Sequence, residues 1–283
     1  TETEDHHAED HDLTFYDAIE VSERRENLIG IAASANEGTT GREDLERRPK
    51  LRAGELVETV PGAIATQHSG GDKANQYFLR GFNLDHGTDF ATWVDGMPVN
   101  MRTNGHGQGY TDVNFVIPET IRTVEFVKGP YHAELGDFSS AGGAHIRTFD
   151  DIPDDTVKVG IGENGFGRLL VMGDTEIGSV EFTGALEGQV YDGPWTDIEE
   201  DVQKINGLVK LWQENGERRW SLTGMFYDND WNSADQIPER AVTQGLIDPY
   251  GSLDTTLGGN APALGLVGAI PHQHQLRVSV VRG

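Results

Sequence analysis

Between residues 51 and 149, apolar runs keep meeting residues that fix or free the backbone. The four clearest cases are Val60-Pro61-Gly62, Leu79-Arg80-Gly81-Phe82, Val94-Asp95-Gly96-Met97-Pro98-Val99-Asn100 and Lys128-Gly129-Pro130-Tyr131. Proline fixes φ and glycine admits positive φ, so the chain reverses at each of these points. The stretch reads as short elements joined by tight turns. Arg52 to Val60 has helical spacing, with Leu56, Val57 and Val60 on one side, and stops at Pro61-Gly62. Gln76 to Leu79, Ala91 to Val94 and Val124 to Val127 read as strands, and Pro118 to Ile121 as a short helix. Residues 28–49 read as a linker, with Gly38 and Gly41 as breakers.

The texture changes after Asp150, at Ile152-Pro153-Asp154-Asp155. About five strand-like runs follow: Val157-Val159-Ile161, Arg168 to Met172, Val180 to Tyr191, Ile205 to Gln213 and Arg219 to Tyr227. Trp220, Leu222, Gly224 and Phe226 share one face, and Val180, Phe182, Gly184 and Leu186 repeat that pattern. Gly162-Glu163-Asn164-Gly165 and Glu214-Asn215-Gly216-Glu217 read as hairpin links. Period-two strands with an apolar outer face, and glycine or polar residues inward, suit a membrane barrel wall. A soluble β-sandwich has the same period.

Composition narrows the function. The net charge of −25 argues against a nucleic-acid partner, whose phosphates it would repel, and is compatible with cations or cationic complexes. There is no cysteine, so disulfides and thiolate metal sites are excluded. No apolar run approaches the roughly 20 residues of a membrane helix, which leaves barrel strands open. Ser139, Ser140 and His145 lie in a glycine-rich turn without a Gly-x-Ser-x-Gly elbow. Phosphate loops, nucleotide-binding glycine fingerprints and His-Glu-x-x-His are also missing, so no enzyme activity and no cofactor are expected.

Taken in order, the four turn runs resemble the plug domain of TonB-dependent outer-membrane receptors. The similarity continues through Ile117-Pro118-Glu119-Thr120-Ile121, Val124-Glu125-Phe126-Val127-Lys128-Gly129-Pro130 and residues 136–146. The resemblance implies an α+β plug domain (28–150), followed by antiparallel β-strands of an incomplete transmembrane β-barrel (151–259). A complete barrel of this kind closes with roughly 22 strands. It further implies plug-gated uptake of a metal complex, of the iron–siderophore type or another metal chelate, in a Gram-negative cell outer membrane. The implied partners are outer-membrane lipid, the metal chelate and a TonB-type periplasmic energy-coupling protein. In such receptors a segment ahead of the plug, the TonB box, adds as a strand to that protein on the periplasmic side. Ile19, Glu20, Val21 and Ser22 stand at that place, in an alternating run, and residues 1–27 are expected to be disordered, acidic and His-rich.

Plug loops in comparable places form the floor of the external ligand pocket in these receptors. On that basis His86, His106 and Tyr110 are candidate metal or chelate contacts, and Arg102 a candidate partner for an anionic chelator. His6, His7 and His11, among carboxylates, form a looser metal candidate. Arg80, Gly81, Asp95, Gly96, Lys128, Gly129 and Pro130 are read as plug scaffold. Among them, Arg80 and Lys128 are expected to bond the inner barrel wall, and Asp95 to cap its own turn.

From about Asn260 the strand pattern collapses. With one choice of codons, a one-base slip would turn residues 270–278 into a better alternating run. The tail 260–283 is therefore read as atypical and out of frame, or else as a variant loop in a truncated chain. The competing functions are a plug-like binding or signalling module without transport, and a non-functional fragment of a frameshifted receptor gene.

Overall fold

A computed structural model describes residues 31–32, 34–49, 52–67, 73–216, 218–233, 237–252 and 272–282. The candidate coupling segment Ile19–Ser22 and the histidines His6, His7 and His11 lie outside these residues.

The first unit contains β1 (Ile31–Ala32), β2 (Glu37–Thr40), α1 (Arg42–Arg47), β3 (Ala63–Thr66), β4 (Gln76–Leu79), β5 (Phe82–Asn83), β6 (Phe90–Val94), β7 (Met97–Pro98), β8 (Ile121–Lys128) and β9 (Gly142–Thr148). Six of these strands form one sheet in the order β1-β2-β8-β9-β6-β7, and β3-β4-β5 form a small second one. Among the described residues, only the β6–β9 pairing is parallel. The apolar turn over Ala53–Thr59 is a 3-10 helix that buries Leu56 and Val57. Together with Val60, Tyr77, Phe90, Val94, Ile117, Ile121, Val124 and Ile146 these residues make the core.

Two segments differ from the sequence reading. The expected linker contains β2, paired antiparallel with β8, and α1, anchored by buried Leu45. Glu37-Gly38-Thr39-Thr40 has little strand character of its own, and β8 supplies the pairing edge that makes it a strand. The glycine-rich run near residue 140 leads directly into β9, because only glycine fits its start. Gly142 has φ +129, and a Cβ there would stand 2.1 Å from the Val127 carbonyl oxygen.

The second unit is an antiparallel sheet of β10 (Thr156–Ile161), β11 (Gly167–Ile177), β12 (Val180–Tyr191), β13 (Val202–Asn215), β14 (Arg218–Asp230) and β15 (His272–Arg282), in sequence order. The first five match the alternating runs and the two hairpin links read from the sequence. The sixth falls where the pattern was expected to collapse: His272–Arg282 pairs along β14, from Trp220↔Arg282 to Asp230↔His272. The helix α2 (Glu239–Thr243) lies between β14 and β15.

The faces of this sheet are sharply different. Val157, Val159, Ile161, Leu169, Val171, Leu186, Ile205, Val209, Trp220 and Phe226 all stand exposed on the outer face. The glycines Gly184, Gly207 and Gly224 share that outer face, contrary to the expectation of inward glycine. The inner face carries Leu170, Met172, Ala185, Leu208, Met225 and Tyr227, which join the core of the first unit, beside the buried polar residues Thr183, Glu187, Asn206 and Lys210. A wall lining an empty lumen would be polar inside; this one packs against a filling domain and needs apolar contacts as well.

Candidate ligand site and the contacts that seat the plug

Two loops of the first unit meet at the candidate residues. After β5, Asn83 Oδ1 accepts a hydrogen bond from the Asp85 amide (2.9 Å), and the Tyr77 amide donates to the Asp85 carbonyl (2.7 Å). Asp85 is thereby held at φ 49, a left-handed conformation that short polar side chains tolerate. Next to it His86 is buried, 1% exposed. Its Nδ1 lies 2.9 Å from the Ala74 carbonyl oxygen and 3.1 Å from that of Asn75. Carbonyls only accept, so Nδ1 carries a proton toward them, and Nε2 is the ring nitrogen turned to Asp85, 3.9 Å from its Oδ1.

The second loop crosses the first through the Thr111 amide, which donates to the His86 carbonyl (2.7 Å). Gly87 permits this crossing: its φ is +94, and a Cβ there would stand 2.7 Å from the Thr111 side chain. Asn104 Oδ1 accepts from the His106 amide (2.8 Å) and turns the loop back. His106 Nε2 then lies 3.3 Å from Asp85 Oδ2. The two imidazoles are 4.4 Å apart between centroids, and the Tyr110 ring is 5.2 Å from His86. Burial pushes the Tyr110 phenol far above its usual range, with Asp112 adding to the effect, so it stays a neutral hydroxyl.

Three of the four candidate residues are thus brought together. Arg102 is exposed on the second loop and makes none of the described contacts with the cluster. Asp85 was missed: the Asn-x-Asp spacing that turns the chain there is visible in the sequence, but its aim at His106 depends on the crossing of the loops.

The scaffold residues also differ in part. Gly81, Gly96 and Gly129 have positive φ, and Pro130 is exposed in the turn after β8. Arg80 donates to Asn36 Oδ1 (2.7 Å), and Lys128 Nζ stands over the Phe126 ring (5.7 Å). In the described contacts both therefore serve the first unit, and other residues reach the wall. Asp95, expected to cap its own turn, accepts from the Thr148 amide (2.9 Å) and lies 3.1 Å from Lys210 Nζ on β13. Lys210 and Arg219 also hold Asp150, at 3.3 and 2.7 Å. Higher on the wall, Arg168 of β11 grips both Glu119 oxygens (2.7 and 2.8 Å) and also bonds Glu187 of β12. Asn206 Nδ2 bridges Glu187 (3.1 Å) and the Asn114 carbonyl (3.0 Å). At Lys210, Arg219 and Arg168, wall cations meet plug carboxylates.

These contacts orient the cluster. β11–β12 and β13–β14 are joined by very short turns at one end of the wall, whereas residues 192–201 and 231–271 connect strands at the other. Asp95 and Asp150 bind toward the short-turn end. Asn206 lies four positions along β13 from Lys210, about 13 Å. β6 begins just after the cluster and leads down to Asp95, so Asp85, His86 and His106 lie at the long-loop end. A cavity of about 440 Å³ opens between the Ala53–Thr59 turn and the wall, lined by Arg52, Glu55, Asn114, Phe166, Tyr191 and Lys204.

The family model for the TonB-dependent receptor plug domain matches residues 32–143. Residues 32–143 are thus a plug domain of the TonB-dependent receptor type, and the second unit has the fold of part of such a receptor's barrel. Solved structures with the same arrangement include the unliganded ferric citrate transporter FecA: TM-score 0.62, 16% identity, covering 78% of this chain and 34% of that one. FpvA of P. aeruginosa, bound to a heterologous pyoverdine and iron, gives TM-score 0.59 at 16% identity over 86% of this chain and 30% of that one. The copper transporter OprC gives TM-score 0.53 at 17% identity over 71% and 31%. At this identity the likeness concerns the fold, and the chain spans about a third of the length of these structures. The family is one of transporters rather than enzymes.

Proposed function

We propose that this chain is the plug and opening wall of a receptor that takes up a metal complex across the outer membrane. The observation that carries this reading is the cluster of His86, His106 and Tyr110, with Asp85, at the long-loop end of the plug. Outer-membrane barrels have short periplasmic turns and long external loops, so this end faces the medium. The apolar outer face of β10–β14 meets lipid. Arg102, exposed on the second loop, is free to pair with an anionic chelator. The named ligands of the structural relatives, ferric citrate, pyoverdine with iron, and copper, support a metal-bearing cargo.

Passage requires the plug to shift. Its seat suits that task, because a buried ion pair gains little net stability over its separated, hydrated partners while still fixing one geometry. Ligand binding at the loops favours a state in which Ile19–Ser22 is offered to the periplasmic coupling protein as an added strand, and the pull then loosens the seat. The test is accumulation of radiolabelled metals, supplied as iron(III) citrate, iron(III) catecholate, zinc and copper, in cells carrying the full receptor gene. Uptake of at least one of them, abolished by deleting the coupling protein, supports the reading. Accumulation of all four unchanged by either gene contradicts it.

A further inference from the structure

From the geometry of the two crossing loops we infer that Asp85, His86 and His106 form a direct binding site for a borderline divalent cation such as zinc, nickel, copper or cobalt. The site deepens the uptake reading and rests on it for the direction from which the ion arrives. One ligand atom from each of the three residues lies within 4.8 Å of the others. The Asp85–His106 separation of 3.3 Å is already about the spacing between neighbouring ligands of a tetrahedral ion bound at roughly 2.1 Å. The His86–Asp85 distance of 3.9 Å closes by rotation of the Asp85 carboxylate, 43% exposed, and the His86–His106 distance by rotation of His106, 42% exposed on its loop.

Two features distinguish this cluster from an incidental polar contact. Metal-bound histidines commonly donate their second ring N–H to a backbone carbonyl, which fixes tautomer and aim. His86 has that outer partner in place: Nδ1 addresses the Ala74 and Asn75 carbonyls, and Nε2 lies 3.9 Å from Asp85 Oδ1. Asp85 itself is held at φ 49, and the turn that imposes this conformation carries the carboxylate to both rings.

The donor set selects the cargo class. Two imidazole nitrogens and one carboxylate oxygen suit borderline divalent ions, whereas iron(III) in a hexadentate chelator has no position left for imidazole. Three protein ligands leave a fourth position open for water or one donor of a weak carrier. The cation therefore exchanges onto the plug, rather than remaining enclosed in a chelator.

The test uses the full chain folded in detergent, with His6, His7 and His11 replaced by alanine so that the N-terminal tract cannot contribute. Cobalt(II) is titrated while its visible ligand-field bands are followed, and zinc is then added as competitor. The expected result is one saturable site with nitrogen-ligand bands, displaced by zinc. Asp85→Asn and His106→Gln should each weaken it by more than the roughly tenfold that losing even an outer-shell partner costs. No cobalt site in the folded parent, or unchanged affinity in His106→Gln, overturns the inference. Coupling-dependent uptake of an iron(III) chelate that persists in His106→Gln, with no cobalt site in the parent, would sink the cation site and leave the uptake reading standing. A cobalt site of the expected kind with no coupling-dependent uptake of any metal would do the reverse.

Discussion

His132 and His145 lie close in sequence and are driven in opposite directions by their surroundings. His132 Nε2 meets Glu37 Oε1 at 2.7 Å, and Glu134 adds at 3.3 Å, so its pKa is raised. His145 stacks on Trp93 (centroids 4.4 Å), and burial, helped by Arg147, lowers its pKa. The His132 contact is therefore complete below the ordinary histidine value of about 6.5 and fades as pH rises through its higher folded value. The His145 packing is complete above that value and is lost as pH falls through its lower one. Side-chain NMR titration is expected to place the two on opposite sides of about 6.5; equal midpoints would contradict the assigned contacts. Residue chemistry was partly legible in the sequence: imidazole and phenol groups in polar plug loops mark His86, His106 and Tyr110. The partners of Asp85 and Asp95 were not, because each is supplied from more than twenty or fifty positions away, by His106 and Thr148.

At the scale of elements, the seat between plug and wall depends on a few buried carboxylates. Burial opposes the charge of Glu119, but the hydrogen bonds and charge of Arg168 outweigh it and hold the pKa below the usual carboxylate range. Lys210 and Arg219 do the same for Asp150 against its burial. Both groups contribute stability that is present above about pH 4 and lost as pH falls through their lowered values. Glu119→Gln leaves Arg168 with Glu187 alone, and is expected to cost about 3 kcal/mol in urea unfolding of the folded chain, the lower part of the range for a broken buried pair. A cost under about 0.5 kcal/mol would make that contact a surface-like one. Gly142→Ala drives a methyl into the Val127 carbonyl and is expected to cost about 2 kcal/mol or more, read in the same way. β4, β6 and β8 were legible because each carries its own apolar run. β2 was not, since its pairing is provided by β8, and β9 begins in glycines that read locally as a turn.

For the whole molecule, period two was enough to find five wall strands, because a sheet with one outward apolar face and one packed face must alternate. Sequence alone could not tell which residues turn inward, since that depends on the plug filling the lumen and drawing Leu170, Leu208 and Met225 into a shared core. The outer face gives a direct check of its environment. Val171, near the middle of β11 and 45% exposed, is expected to tolerate Lys poorly, by about 2–4 kcal/mol in folding into lipid, whereas a solvent-facing site would tolerate it freely.

On the proposed uptake reading, the plug sits latched in its wall and shifts before cargo passes. The chain has no cysteine, so a pair introduced by Asn114→Cys and Asn206→Cys would be unique within it, across a contact where Asn206 Nδ2 lies 3.0 Å from the Asn114 carbonyl. The measurement is uptake of the radiolabelled metal found in the accumulation panel, by cells with this pair in the full receptor, oxidised and then reduced. The account requires uptake to fall at least about tenfold when the pair is joined and to return with reductant. Undiminished uptake through a receptor verified as cross-linked would contradict it.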